Sequence, residues 1–184
     1  MSKKFKDDFT LTTETDDQGH SRQVSTYIGS FFDLEIDQAG LSRLKVLAAF
    51  LYIGSLVSHV AAGFLPHSAT NLWFVSLPYA VAYLPIGLLG FALLRLPRET
   101  QNLARYQTEG SFTRGRMFAA FALVLQIICT VGLAFFLLLT KGSLAAKPNY
   151  LFLLLEIFAS VMCFGLLTQL NQIRISKRVD NNAN

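Results

Sequence analysis

The chain has 184 residues, of which 52% are hydrophobic and only 15% charged, and its formal net charge is +4. An ordinary soluble domain has about a quarter of its residues charged, so these figures weigh against that class. Of the 28 charged residues, 27 lie outside four apolar blocks, 46–65, 72–94, 118–139 and 150–170, each of 20 to 23 residues and long enough to cross about 30 Å of hydrocarbon. The expected fold is an all-α membrane protein, a four-transmembrane-helix bundle, with a small N-terminal segment before it.

Residues 1–45 form that polar N-terminal tail. Positions 1–30 contain no apolar core followed by small residues, so no secretory signal is expected and the first block remains as a span. The stretches 9–15 and 23–28 alternate in polarity around a turn signal at 16–19, which predicts a β-hairpin within 9–28. Two strands alone are marginal in water, so the hairpin would dock on the membrane surface, the central loop or a partner; plain disorder is the alternative. Tyr27, Phe31 and Phe32 suit a bilayer interface. Asp37 reads as a helix N-cap, with Leu41, Leu44 and Leu47 following at helical spacing, so the first helix starts at about 37. Arg43 and Lys45 would snorkel to the inner head groups.

The spans carry their own packing signals. Lipid supplies no hydrophobic drive between helices, so close packing requires small residues along a stripe. In the first span Gly54, Ser58 and Ala62 form one. The second span holds Pro78 and Pro85, two helix-kinking residues on nearly the same side, with Ser76, Tyr79 and Tyr83 along one face. This face either lines a cavity or is ordinary membrane-helix proline usage. The central loop opens at Arg95, and Pro97 fits the first turn of a short amphipathic helix. Leu103 and Tyr106 would face the membrane, and Arg98, Arg105 and Glu109 water, with Gly110 and Ser111 ending it. The third span aligns Ala119, Ala122, Gln126 and Thr130, with Cys129 beside them. In the fourth, Ala159, Ser160 and Cys163 follow Glu156 on a small, mildly polar face. Residues 171–184 form the C-terminal tail.

Lys and Arg number 14 in the tail, the central loop and the C-terminal segment, against 2 in the two short loops. By the positive-inside rule this predicts a cell-membrane, multi-pass protein with both termini cytoplasmic. Cys129 and Cys163 do not form a C-x-x-C pair, and buried free thiols are expected. His20, His59 and His67 are the only histidines and are widely spread, so neither a haem nor a metal site is expected. Phosphate-loop, zinc-protease and nucleophile-elbow motifs are absent, no basic run suggests nucleic acid, and no internal repeat suggests a transporter of inverted repeats. No cofactor is implied.

Glu156 is the one charged side chain within the spans. A carboxylate at membrane depth costs about 2.5 kcal/mol or more, which makes it a functional candidate by default. Glu156 lies six residues inside Tyr150, and His59 six before Leu65, so each sits about 9 Å below the outer edge. Tyr79, seven residues in from Leu72, shares that level. Glu156, His59, Tyr79, Tyr83 and Gln126 are therefore the candidate ligand-binding or proton-relay residues. A Glu–His pair shares a proton and could bind a cation, relay protons or hold a quinone-like lipid; the competing expectation is structural glue between helices. The leading functional expectation is an accessory, assembly or regulatory subunit, with a protein partner or a second copy in the bilayer. The alternative is a small transporter or a lipid- or quinone-binding protein using the Glu-His-Tyr layer. An enzyme is the weaker expectation, because no nucleophile or metal set accompanies these residues.

Overall fold

The computed structural model describes residues 8–15, 21–66, 71–139 and 146–178. Four of its helices are long and apolar enough to span a membrane. Helix α1 runs Gln38–Gly63 and α2 runs Trp73–Leu94. A short α3, Arg105–Thr108, continues through a π-helical turn, Glu109–Thr113, into α4, Arg114–Leu139; α5 runs Ala146–Gln172. At 26 residues α1 is about 39 Å long, more than the roughly 30 Å that crossing a bilayer's hydrocarbon requires. Asp37 caps it: the carboxylate accepts the Gly40 amide at 2.8 Å, one of the donors a helix start leaves open.

The helices pack in the order α1, α5, α4, α2, and α1 and α2 touch each other only sparsely. Their shared face alternates small residues with larger ones at helical spacing. Ala119, Ala122, Gln126, Cys129 and Leu133 line α4, and Glu156, Ala159, Cys163, Leu166 and Leu170 line α5. Pro78, Ala82, Pro85 and Leu89 do the same on α2. The prolines therefore turn into the bundle. Pro78 leaves the Phe74 carbonyl without its helical donor, and α4 approaches that carbonyl closely at Gly132, where a Cβ would stand 3.4 Å from it. On α1 the sequence stripe keeps Ser58 and Ala62 on the buried face, and the face widens to one side of it. Ser55, Ser58, His59 and Ala62 form the buried face, while Gly54 lies at its flank against Met162.

The strands gather at one end of the bundle. Strand β1, Phe9–Thr15, pairs antiparallel with β2, Ser21–Tyr27, so the hairpin forms as expected; its turn signal lies outside the described residues, as do His20 and His67. A second sheet was not anticipated. Strand β3, Phe31–Leu34, lies between β4, Leu103–Ala104, and β5, Ile175–Lys177, both antiparallel to it. The N-terminal segment, the central loop and the C-terminal segment thus meet at the same end.

This sheet corrects the reading of the central loop. Pro97 is buried in an irregular stretch, not in a first helical turn, because the backbone of Leu103 and Ala104 bonds to β3 instead. Asn102 makes the turn in the left-handed region at φ 56, and its amide donates to Asp33 Oδ1 at 2.8 Å. Leu103 is 3% exposed and packs with Leu34, Leu41 and Phe112, so it does not face the membrane. Gly110 and Ser111 do not end the helix either: the Ser111 hydroxyl donates to the Gln107 carbonyl within it, and the π turn buries both Ser111 and Phe112. Tyr27 and Tyr106 meet protein partners. Tyr27 has ring centroids 5.2 Å from both Phe9 and Phe31 and 6.1 Å from Tyr106, and its hydroxyl accepts the Arg105 amide and donates to the Ser30 carbonyl.

Candidate functional site

The polar layer assembles where α1, α2 and α5 come together. His59 projects from the buried face of α1, and Glu156 from that of α5; both are 0% exposed. His59 Nδ1 lies 2.8 Å from Glu156 Oε1. On its other side His59 Nε2 lies 3.2 Å from the Tyr79 carbonyl of α2. A carbonyl only accepts, so Nε2 carries the hydrogen. One further proton then lies between Nδ1 and Oε1, and whichever atom holds it, the pair is neutral overall. That neutrality lets a carboxyl and an imidazole sit together in apolar surroundings.

Tyr79 returns the contact. Its hydroxyl donates to the His59 carbonyl at 2.6 Å, and since that hydrogen is used, the Tyr83 hydroxyl donates to Tyr79 across 2.9 Å. Both rings lie against the imidazole, with centroids at 4.3 Å for Tyr79 and 4.7 Å for Tyr83. Tyr83 is 39% exposed and forms the outer edge of the group. The fold makes room through Gly63, where any Cβ would collide with the Tyr79 hydroxyl.

Gln126 of α4 belongs to the adjoining turn rather than to this group. Its Nε2 donates to Ser55 Oγ at 3.3 Å, and Ser55 in turn donates to the Ala159 carbonyl at 3.0 Å. Ser55 is the residue sequence reasoning missed. It lies four before His59 and seven before Ala62, a spacing that marks the same face, but the neighbouring stripe of Gly54, Ser58 and Ala62 matches equally well. Cys129 and Cys163 are free and buried, and the Cys163 thiol donates to the Ala119 carbonyl.

Chemically, the layer is a closed set of helix-to-helix bonds with two open acceptors. Glu156 Oε2 and Gln126 Oε1 are buried and have no hydrogen-bond partner among the described residues. Among those residues no three His, Cys, Asp or Glu side chains converge to hold a metal ion. Comparison with protein-family models, curated proteins and solved structures finds no match for this chain. The functional reading therefore rests on the chain's own residues.

Proposed function

We propose that this protein is a cell-membrane subunit with both termini cytoplasmic, acting as an accessory, assembly or regulatory component of a larger membrane complex. The orientation is supported by the basic residues, 14 of which fall in 1–45, 95–117 and 171–184 and 2 in 140–149. The observation that carries the subunit reading is the β1–β2 ribbon. It pairs seven residues with seven, and among the described residues neither strand has a second neighbour, so each offers an open backbone edge. Leu11 on it is 72% exposed. The ribbon is seated on the chain through Phe9 and Tyr27 yet keeps these edges open, and an added partner strand is a common way to complete such an edge. The helical layer favours the same reading, since its polar groups are largely used in joining helices.

The test is a photo-crosslinking residue at exposed Thr12 of the full chain in native membranes. A discrete adduct is expected, and Tyr27→Ala, which removes the ring and hydroxyl that seat the ribbon, should weaken it. A chain that isolates as a monodisperse monomer with no adduct from Thr12 would overturn the reading.

The unpartnered Glu156 Oε2 favours a second reading, a small transporter or ligand-binding protein in which a proton or polar head group reaches the Glu156–His59 pair. It requires that Glu156→Gln abolish a proton-linked or ligand-dependent flux in reconstituted vesicles while the chain stays folded. Unchanged flux removes Glu156 from any such role.

A further inference from the structure

The sparse contact between α1 and α2 has a shape. The His59–Tyr79 bonds close the gap at one end, and toward the strand-bearing end it opens into a groove of about 700 Å³. That volume lies within the roughly 300–1,000 Å³ of ligand-holding clefts. The groove exists because its walls lack side chains: Ala48 and Ala49 on α1 face Gly87 and Gly90 on α2. A Cβ on Gly87 would meet nothing within 4 Å. Tyr52 forms the inner end, its hydroxyl against the Gly90 backbone. Leu93, Leu94 and Phe91 make the rest of the wall apolar.

The mouth is cationic. Lys45 and Arg98 both line it, and neither side chain is ion-paired or hydrogen-bonded among the described residues. Lys45 immediately precedes the first apolar block and Arg98 lies four residues after the second, so both sit at head-group level when the apolar blocks lie in hydrocarbon. An apolar slot running into the bilayer, with two unpaired cations at the membrane surface, matches one chemistry: an acyl chain below a phosphate.

We propose that this groove is a binding site for an anionic phospholipid, its acyl chain between α1 and α2 and its phosphate on Lys45 and Arg98. The site rests on the membrane reading and is independent of the subunit reading. Charge complementarity selects the lipid over a neutral one, and the Gly and Ala walls leave room for an acyl chain between the helices.

The test is native mass spectrometry of the full chain released from micelles holding equal amounts of palmitoyl-oleoyl phosphatidylglycerol and phosphatidylcholine. One phosphatidylglycerol should be retained in preference. Lys45→Ala with Arg98→Ala should reduce its retention about tenfold or more, and Gly87→Leu, which fills the groove from a position facing open space, should abolish it. Glycerol phosphate without acyl chains should not displace the lipid. Equal retention of the two lipids, unchanged retention in Gly87→Leu, or displacement by glycerol phosphate would each overturn the site. So would a lipid-free dimer of the chain that Gly87→Leu dissociates. If the double variant does not fold, Gly87→Leu decides alone.

Discussion

His59 and Tyr79 each donate a hydrogen bond to the other's backbone carbonyl, through Nε2 at 3.2 Å and the phenol hydroxyl at 2.6 Å. This reciprocal pair ties α1 to α2 where the two helices otherwise have little contact, while the opposite nitrogen of His59 ties α1 to α5 through Glu156. One imidazole therefore joins three helices. Hydrogen bonds between membrane helices contribute on average only about 0.6 kcal/mol, and at most about 1.7, so the consequences are measurable but modest for any single bond.

Tyr79→Phe removes the donor to His59 and the acceptor of Tyr83 together. The expected loss is about 1 kcal/mol in reversible unfolding from mixed micelles. Tyr83→Phe deletes only the outer, more exposed bond and should cost less. Equal losses in the two variants would show that the bond to the His59 backbone has no special weight.

Replacement of Glu156 separates the pair's charge from its hydrogen bond. In Glu156→Gln the amide can still donate to His59 Nδ1, so the fold should hold with a loss below about 1.5 kcal/mol. Glu156→Ala leaves Nδ1 without a partner and opens a cavity, and about 3 kcal/mol is expected. Nitrogen NMR of the Gln variant should show the hydrogen of His59 on Nε2. A Gln variant as unstable as the Ala variant would mean that the carboxyl is held by something other than this bond.

Gly63 is required by the same geometry. Gly63→Ala should destabilise the bundle, because its Cβ would meet the Tyr79 hydroxyl before anything else. The damage should be smaller when Tyr79→Phe is already present, since the colliding oxygen is gone. Additive losses across this pair would place the collision elsewhere.

Much of this site was legible from the residues alone. Rise per residue in a helix is constant, so counting from the ends of the apolar blocks put Glu156, His59 and Tyr79 at one depth, and the structure brings these three into contact. Depth is one coordinate and rotation is another. Gln126 falls one turn away, bonded through Ser55, and the choice between Ser55 and Gly54 as the centre of the α1 face needed the position of α5. Nor does any local pattern reveal that Tyr79 bonds the His59 backbone rather than the carboxyl.

The sequence by itself determined the four long apolar helices, the hairpin and the common level of the polar layer along those helices. Each follows from local quantities: apolar length, alternation and helical rise. Only the tertiary structure decided the sheet of β3, β4 and β5, whose contacts join Asp33 to Asn102 across 69 residues and to Ser176 across 143. Such backbone pairing leaves no nearby trace, because any short extended segment can supply it. The α1–α2 groove is of the same kind. Its small residues are unremarkable singly, and it exists because the packing sets Ala48 and Ala49 of α1 beside Gly87 and Gly90 of α2.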